Sequence, residues 1–393
     1  MKKMKVVAQI LTYNEKENVG PMMDAWLKIA KGNPKYDFEI LVIDDESPDG
    51  TGEIVKKYAK KNNNIFLLSH SREGYGKAMI RGYKYSMEEL KADIIIPIDV
   101  DFQWDPYLAP KLLEKIDEGY DVVVASRGIP GASDDFTPFR KLTHWVSDTL
   151  FAYYLAGIKE VKDHAGSFKA IRVKGHMDKV DLDKINVRGF VVQMKTLYEL
   201  SKTNAKFFEV AAHYGERKAG TPTTVGLKSL QWFVKYIIEY MKVALEVRFE
   251  RTPALLKFIK FGIVGGFGFV INFVGLMVFN RLLKIFPWPI GVINFIANAL
   301  ASEISIISNF TWNNIWTFSK EKIISPGQLV KKFTAFNFSS IIGGILVPSF
   351  VIGAGTQMFG DQYRSILLVV AVFGFTVPYN WFIYNKFIWK KKK

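Results

Sequence analysis

The chain has 393 residues, a net charge of +15 and no cysteine, which excludes disulfides, thiol nucleophiles and Cys-based zinc or iron–sulfur sites. Its 30 Gly and 15 Pro are ordinary and exclude collagen-like or broadly disordered chains. The basic excess is uneven: residues 1–256 hold 39 Lys/Arg and 35 Asp/Glu (net +4), whereas residues 257–393 hold 14 and 3 (net +11), so nucleic-acid binding is not expected.

Residues 5–215 alternate short apolar runs with amphipathic ones, the pattern of an α/β sandwich. The pattern predicts a strand over Val6–Leu11, a helix over Asn18–Ala30, and a strand over Glu39–Ile43 that ends in Asp44 and Asp45. A helix over Ile54–Lys61, a strand over Ile65–Ser69 and a helix over Gly76–Met87 follow. Ile94–Ile98 is a strand ending in Asp99, and Val122–Ala125 is one ending in Ser126 and Arg127. Polar residues thus recur at the carboxyl ends of strands, where open α/β sheets hold their ligands. No secretory signal is expected ahead of the first strand.

Asp99-Val100-Asp101 leaves a strand, so its two carboxylates point the same way and can converge. They repel unless a cation joins them; a hard divalent ion such as Mg²⁺ or Mn²⁺, also holding phosphate oxygens, does so. Alone, Asp-x-Asp reads more readily as an ordinary strand-end loop. Its context is Thr12-Tyr13-Asn14-Glu15, Val42-Ile43-Asp44-Asp45-Glu46-Ser47-Pro48-Asp49-Gly50-Thr51, Gly74-Tyr75-Gly76-Lys77-Ala78 and Phe102-Gln103-Trp104-Asp105-Pro106. Ser126-Arg127-Gly128 and Asp163-x-x-Gly166-Ser167-Phe168 complete the series. In order and spacing it resembles the nucleotide-sugar-binding domain of inverting family-two glycosyltransferases, nearest the dolichyl-phosphate mannose synthase branch, over residues 6–220.

The resemblance implies an α/β chain: a GT-A (Rossmann-like) domain over residues 1–225. Tyr13, Glu15 and Asp44 would hold the base and ribose, with Leu11 and Ile43 also in the nucleotide-sugar site. Asp99, Val100 and Asp101 would line the donor diphosphate, and Asp101, Gln103 and Asp99 would hold the Mg²⁺ or Mn²⁺. Arg127, Arg140 and Arg217 would gather around donor and acceptor phosphates, where a guanidinium fork suits phosphate oxygens. Arg127, Arg140 and His144 fall on the acceptor phosphate, Arg127 and Arg217 on the donor, and Asp99, Asp101 and Arg127 form the catalytic set. Each residue has a plainer alternative: Tyr13 a core ring, Glu15 a helix cap, Gln103 a loop donor, each arginine a solvated charge. The chain departs from the family pattern at Leu11 (usually proline), Glu46 (glycine), His144 (serine) and Thr223 (lysine).

Transfer to a sugar hydroxyl needs a general base. Family-two enzymes that build polysaccharides typically use a Glu-Asp dipeptide and a Q-x-x-R-W string, yet no Glu here precedes Asp and no Arg precedes Trp. A phosphomonoester, with a second pKa of about 6, attacks without a base. A lipid-borne phosphate also fits Lys228–Glu250, whose polar residues at 228, 231, 235, 239, 242, 246 and 250 form one helical stripe. That helix either lies in a membrane interface or packs on the preceding domain. Arg140–Ala156, with Leu142, Trp145, Val146, Thr149, Leu150 and Tyr153 on one side, is a second such segment. Residues 226–256 are therefore expected to be an amphipathic linker.

Four stretches lack Asp, Glu, Lys and Arg: Phe261–Asn280, Ile285–Ser302, Phe333–Gly360 and Ser365–Asn385. A bilayer-spanning helix takes about 20 apolar residues, so residues 257–393 are expected to form an all-α domain of four transmembrane helices. Lys257 and Lys260 precede the first, Lys320, Lys322, Lys331 and Lys332 lie between the second and third, and Lys386 and Lys390–Lys393 follow the fourth. By the positive-inside rule both termini and the catalytic domain are cytoplasmic. Lys260-Phe261-Gly262-Ile263-Val264-Gly265-Gly266 and Ser308-Asn309-Phe310-Thr311-Trp312-Asn313-Asn314-Ile315-Trp316-Thr317-Phe318 resemble the GtrA-like family, associated with lipid-linked sugar handling. Gly262, Gly265, Gly266 and Gly268 permit close helix contact and a homo-oligomer, and Glu303 is either an interfacial acid or part of a transport path. The resulting expectation is a membrane-bound inverting transferase moving mannose from GDP-mannose to dolichyl or polyprenyl phosphate. Glucose from UDP-glucose, or a lipid-linked sugar flippase, are the alternatives.

Overall fold

The computed structural model describes residues 3–187, 189–219 and 227–390, and its contacts divide the chain into two units, Met1–Glu250 and Arg251–Lys393. In the first unit β1 (Met4–Thr12), α1 (Lys16–Gly32), β2 (Tyr36–Asp44), α2 (Thr51–Ala59), β3 (Ile65–Ser69), α3 (Tyr75–Glu88) and β4 (Ile94–Asp99) alternate as the sequence predicts. Then come α4 (Ala109–Asp117), β5 (Val122–Ser126), β6 (Ser133–Asp134), α5 (Pro138–His144), β7 (Lys169–Arg172), α6 (Val192–Ser201), β8 (Phe207–Ala211), β9 (His213–Tyr214) and α7 (Leu227–Arg251).

The main sheet runs β3-β2-β1-β4-β7-β5-β8, with only β7 antiparallel to its neighbours. Its central strands β1, β4 and β5 are buried on both faces, which is why they read as nearly continuous apolar runs. On β1, Val6, Ala8 and Ile10 meet Val19, Met22, Met23 and Trp26 of α1, while Val7 and Leu11 share the opposite core with Ala78, Met79 and Tyr83 of α3. Gly82 sets the approach of α3: a Cβ there would lie 2.6 Å from Gln9 Cδ and closer still to Ile43 Cδ1. Gly82→Ala should therefore destabilise the unit by about 1–3 kcal/mol through overpacking, seen as a lower thermal midpoint.

Register aligns the strand ends. Leu11 stands opposite Ile43 on one side and Asp99 on the other, and Thr12 opposite Asp44. The carboxyl ends of β2, β1 and β4 thus form one edge, and the chain turns there three times through left-handed backbone on non-glycine residues: Asn14 (φ 57°), Glu46 (φ 49°) and Phe102 (φ 62°). Such turns are costly for side-chain-bearing residues and gather at functional edges. The one at Glu46 accounts for the glycine expected there.

The helix α7 is more than a linker. Tyr240, Val243, Ala244 and Val247 are buried against Ala152, Ala156, Met194 and Tyr198, so its middle belongs to the first unit's core. Its polar stripe also serves that packing: Glu246 pairs with buried Lys195 at 2.8 Å, Glu250 with Lys202 at 2.9 Å, and Glu239 accepts from the Gly189 amide at 3.4 Å. Elsewhere Val234, Ile238 and Met241 are exposed, as are Phe139, Leu142, Trp145 and Leu150 around the π-type turns that follow α5.

The second unit is helical: α8 (Pro253–Leu283), α9 (Ile290–Trp312), α10 (Pro326–Ile341) continued through a π-type turn by α11 (Val347–Phe359), then α12 (Arg364–Ala371) and α13 (Val377–Ile383), likewise joined. They fall on the four uncharged stretches, with α9 displaced toward the C-terminus because Pro289 sits at its N-cap. Among the described residues α8, 31 residues long with an 18-residue stretch of mean hydropathy 2.1, is long and apolar enough to cross a bilayer. Glu303 is paired, both its oxygens accepting from Asn337 Nδ2 at 2.9 and 3.1 Å. Gly268 is crowded by Asn309, whereas among the described residues no atom beyond the helix's own backbone lies within 4 Å of a Cβ at Gly262, Gly265 or Gly266.

Candidate active site

Asp99 ends β4 and Asp101 lies in the turn beyond it. Asp99 Oδ1 accepts from Tyr75 Oη at 3.0 Å and Oδ2 from Ser167 Oγ at 2.7 Å. Asp101 is 8% exposed; its Oδ1 accepts from the Gln103 amide at 3.2 Å and its Oδ2 faces Arg217 Nη1 at 3.2 Å. Burial, and then the charge of Asp99, pushes the Asp101 carboxyl up to about 6. Burial also raises Asp99. An acid raised by a neighbouring acid, as Asp101 is by Asp99, gains from an added cation. Arg217 occupies that role toward Asp101, while donating to Glu15 Oε1 and to the Ala219 carbonyl at 2.8 Å. Residues 15, 101 and 217, far apart in sequence, therefore meet at one edge of the sheet.

The carboxylates of Asp99 and Asp101 and the amide oxygen of Gln103 are hard oxygen donors of the kind Mg²⁺ and Mn²⁺ take. Among the described residues no group of three His, Asp or Glu side chains is placed to hold a metal. Gln103 is turned away: its Nε2 donates to the Gly215 carbonyl at 3.2 Å and its Oε1 accepts from Tyr214 Oη at 2.9 Å.

Arg127 lies in a second group. Its Nε and Nη2 donate to Asp163 at 2.7 Å each, and its backbone amide does so at 2.9 Å. Burial opposes ionisation of Asp163, but the guanidinium overrides it and holds the carboxyl well below the usual range. The rings of Trp104 and Tyr214 lie 5.0 Å from the Arg127 guanidinium, which leaves Nη1 facing His144 Nε2 at 3.4 Å. His144 stacks on Phe136 (4.5 Å) and its Nδ1 faces Asp148 at 3.3 Å. Arg140 is exposed, lies 4.2 Å over the other residue of that platform, Phe136, and donates to Tyr214 Oη at 3.4 Å. Arg127, Arg140 and His144 are thus brought together around Phe136 and Tyr214.

Other expected residues play narrower parts. The side chains of Leu11, Ile43 and Val100 are core, so at this edge they offer a ligand only backbone. Asp44 is satisfied internally by Thr12 Oγ1 at 3.1 Å and Ser47 Oγ at 2.5 Å. The ring of Tyr13 is covered by Arg72 at 3.6 Å. Thr223 lies outside the described residues. Sequence reading missed Arg72, Asp163 as the anchor of Arg127, and Tyr214, which touches both groups. Only Asp163 had a signal, through its place in the Asp-x-x-Gly-Ser-Phe string.

Comparison with known proteins places the chain in a family. Residues 8–178 match the model of glycosyl transferase family 2, and residues 260–389 that of the GtrA/DPMS transmembrane domain. A dolichol-phosphate mannosyltransferase of Pyrococcus furiosus is 30% identical over 377 residues, covering 96% of this chain and 97% of its own. An undecaprenyl-phosphate mannosyltransferase of Micrococcus luteus is 29% identical over 219 residues, covering 55% of this chain and 86% of its own. Among solved structures, mannosyl-3-phosphoglycerate synthase from Rubrobacter xylanophilus aligns with TM-score 0.45 at 19% identity, over 62% of this chain and 76% of its own. The chain is therefore a membrane glycosyltransferase of family 2 that carries a GtrA/DPMS transmembrane domain.

Proposed function

We propose that the protein moves one hexose, mannose from GDP-mannose, to a polyprenyl (dolichyl) phosphate with inversion at the anomeric carbon. The observation that carries the reading is the meeting of Asp99, Asp101, Arg217 and Glu15 at one strand edge, with Arg127, Arg140 and His144 grouped beside Tyr214. The printed names of the two mannosyltransferase relatives support the sugar and the lipid-phosphate acceptor. An oxygen of the acceptor phosphate forms the new bond to the anomeric carbon as the bond from that carbon to the donor diphosphate breaks. The departing nucleoside diphosphate keeps the electron pair, and no proton need be removed from a nucleophile already ionised.

Asp101, Asp99 and, after rotation of its side chain, Gln103 would hold Mg²⁺ or Mn²⁺. The bound ion neutralises charge on the leaving diphosphate. Glu15 and Tyr13 stand at the same edge for the nucleoside, and Arg217 supplies a guanidinium to the donor phosphates. Exposed Phe139, Leu142, Trp145 and Leu150, with Val234, Ile238 and Met241 of α7, give the first unit an apolar surface for a bilayer. Phe139 and Phe233 join the two helices, their rings 5.0 Å apart. Arg140, exposed between Phe139 and Leu142, would then meet a headgroup phosphate. The second unit is read as four spans with both termini cytoplasmic.

Full-length protein in detergent, given Mn²⁺, polyprenyl phosphate and labelled GDP-mannose, should form labelled lipid, and should stop when the lipid phosphate or the divalent ion is left out. Label arriving from UDP-glucose instead would reassign the donor. Label from neither would overturn the reading.

A further inference from the structure

Behind the Asp99 carboxylate lies a chain of polar side chains, two of them fully buried and Tyr75 half-buried, that the proposed reaction does not use. Lys169, on β7, is fully buried, and its Nζ donates to Gln193 Oε1. Gln193, on α6 and equally buried, donates through Nε2 to Tyr75 Oη at 3.0 Å. Tyr75, at the start of α3, donates in turn to Asp99 Oδ1 at 3.0 Å. We propose that Lys169, Gln193 and Tyr75 form a positioning relay that fixes the direction of the hydrogen bond to Asp99. This rests on the reading of Asp99 as part of the donor site.

The logic is one of donors and acceptors. An ammonium has three donors and no acceptor, so Lys169 compels the Gln193 amide to present its oxygen. The NH₂ must then face Tyr75, whose oxygen is thereby occupied as an acceptor. Its proton has one remaining use, the Asp99 carboxylate. Without a donor-only group at the far end the amide could turn over, the tyrosine could donate to glutamine, and Asp99 would lose one of its two anchors. Ser167 holds the other oxygen at 2.7 Å. The relay thus ties α3, α6 and β7 to the end of β4 and sets the plane of one carboxylate in the Asp-x-Asp pair.

A purely packing role fits Lys169 poorly. Burying an ammonium is costly, and an apolar side chain of similar length is often as stable or more so. Burial draws the Lys169 ammonium down to about 7, a sign of that cost, so the donor-only form that sets the relay's direction is the one held below that pH. Tyr75 is further fixed by the Phe190 ring at 4.4 Å, so loss of its hydroxyl removes the hydrogen bond and leaves the ring in place.

The test uses full-length Tyr75→Phe and Lys169→Met, compared with wild type for Mn²⁺ affinity (electron paramagnetic resonance of free Mn²⁺), kcat, donor KM and thermal midpoint. Groups behind metal-site carboxylates commonly change affinity or activity by about 10–100-fold, and a loss of that size in Mn²⁺ affinity and kcat is expected in both variants. The thermal midpoint should be unchanged or, for Lys169→Met, raised. Lys169→Arg, which keeps a donor-only group, should recover part of the loss. Wild-type Mn²⁺ affinity and kcat in Tyr75→Phe would overturn the relay while leaving the transferase reading intact. A wild type that binds Mn²⁺ but transfers no sugar, with binding weakened in the variants, would support the relay and remove the assigned reaction.

Discussion

Asp101→Asn is expected to lower turnover at least about a hundredfold, because neutralising a leaving diphosphate is worth several kcal/mol and each 1.36 kcal/mol is tenfold in rate. The same variant should fold as well as wild type or better. Asp101 is buried, and its ionised form is opposed by burial and by Asp99, so asparagine relieves repulsion at little cost in volume. Arg217 keeps its bonds to Glu15 and to the Ala219 carbonyl and is not left unpaired. Labelled-lipid formation across a range of Mn²⁺ concentrations, beside a melting curve, checks both halves. A loss of activity with a retained melting midpoint places Asp101 in the chemistry. Undiminished turnover would remove the Asp-x-Asp pair from the site.

What the sequence made legible follows from where information is local. Parallel strands buried on both faces read as apolar runs, and their polar ends marked the ligand edge before any geometry was known. The motif strings fell on those ends, which is why Asp99, Asp101, Glu15 and Arg217 could be named and are found together. Partnerships across long separations left no local trace. Arg127 meets Asp163, and Lys169 reaches Tyr75 only through Gln193; neither has a period or spacing to betray it. β7 is four residues long and contains a buried lysine, so it lacks the apolar signature of its neighbours. In α7 the polar stripe was real, but periodicity does not distinguish water or headgroups from the counter-charges of Lys195 and Lys202. Leu11, Ile43 and Val100 show the converse limit: a motif fixes a position, whereas only the sheet's two faces tell that their side chains point inward.

Asp163→Asn should be the most destabilising single change at the site. Removing one partner of a buried ion pair typically costs about 3–5 kcal/mol, since the other charge is left without compensation. Here the Arg127 side chain is 9% and the Asp163 side chain 1% exposed, and Asp163 also accepts from the Gly166 amide at 2.9 Å. The pH dependence has a definite sign. Asp163 is held below its ordinary value of 3.8 in the folded state, so the pair contributes its full stability above that pH and loses it as acid protonates the folded carboxyl. The gap in thermal midpoint between wild type and Asp163→Asn should be widest near neutrality and narrow below about pH 4. Replacing both partners separates stability from function, because an apolar pair of similar volume is often neutral or stabilising. Arg127→Met with Asp163→Leu should recover much of the lost midpoint and yet transfer no sugar, since no guanidinium would face His144 and the acceptor phosphate. A double variant that regains both midpoint and turnover would make the pair a structural fastening and leave Arg140 and Arg217 to hold the phosphates.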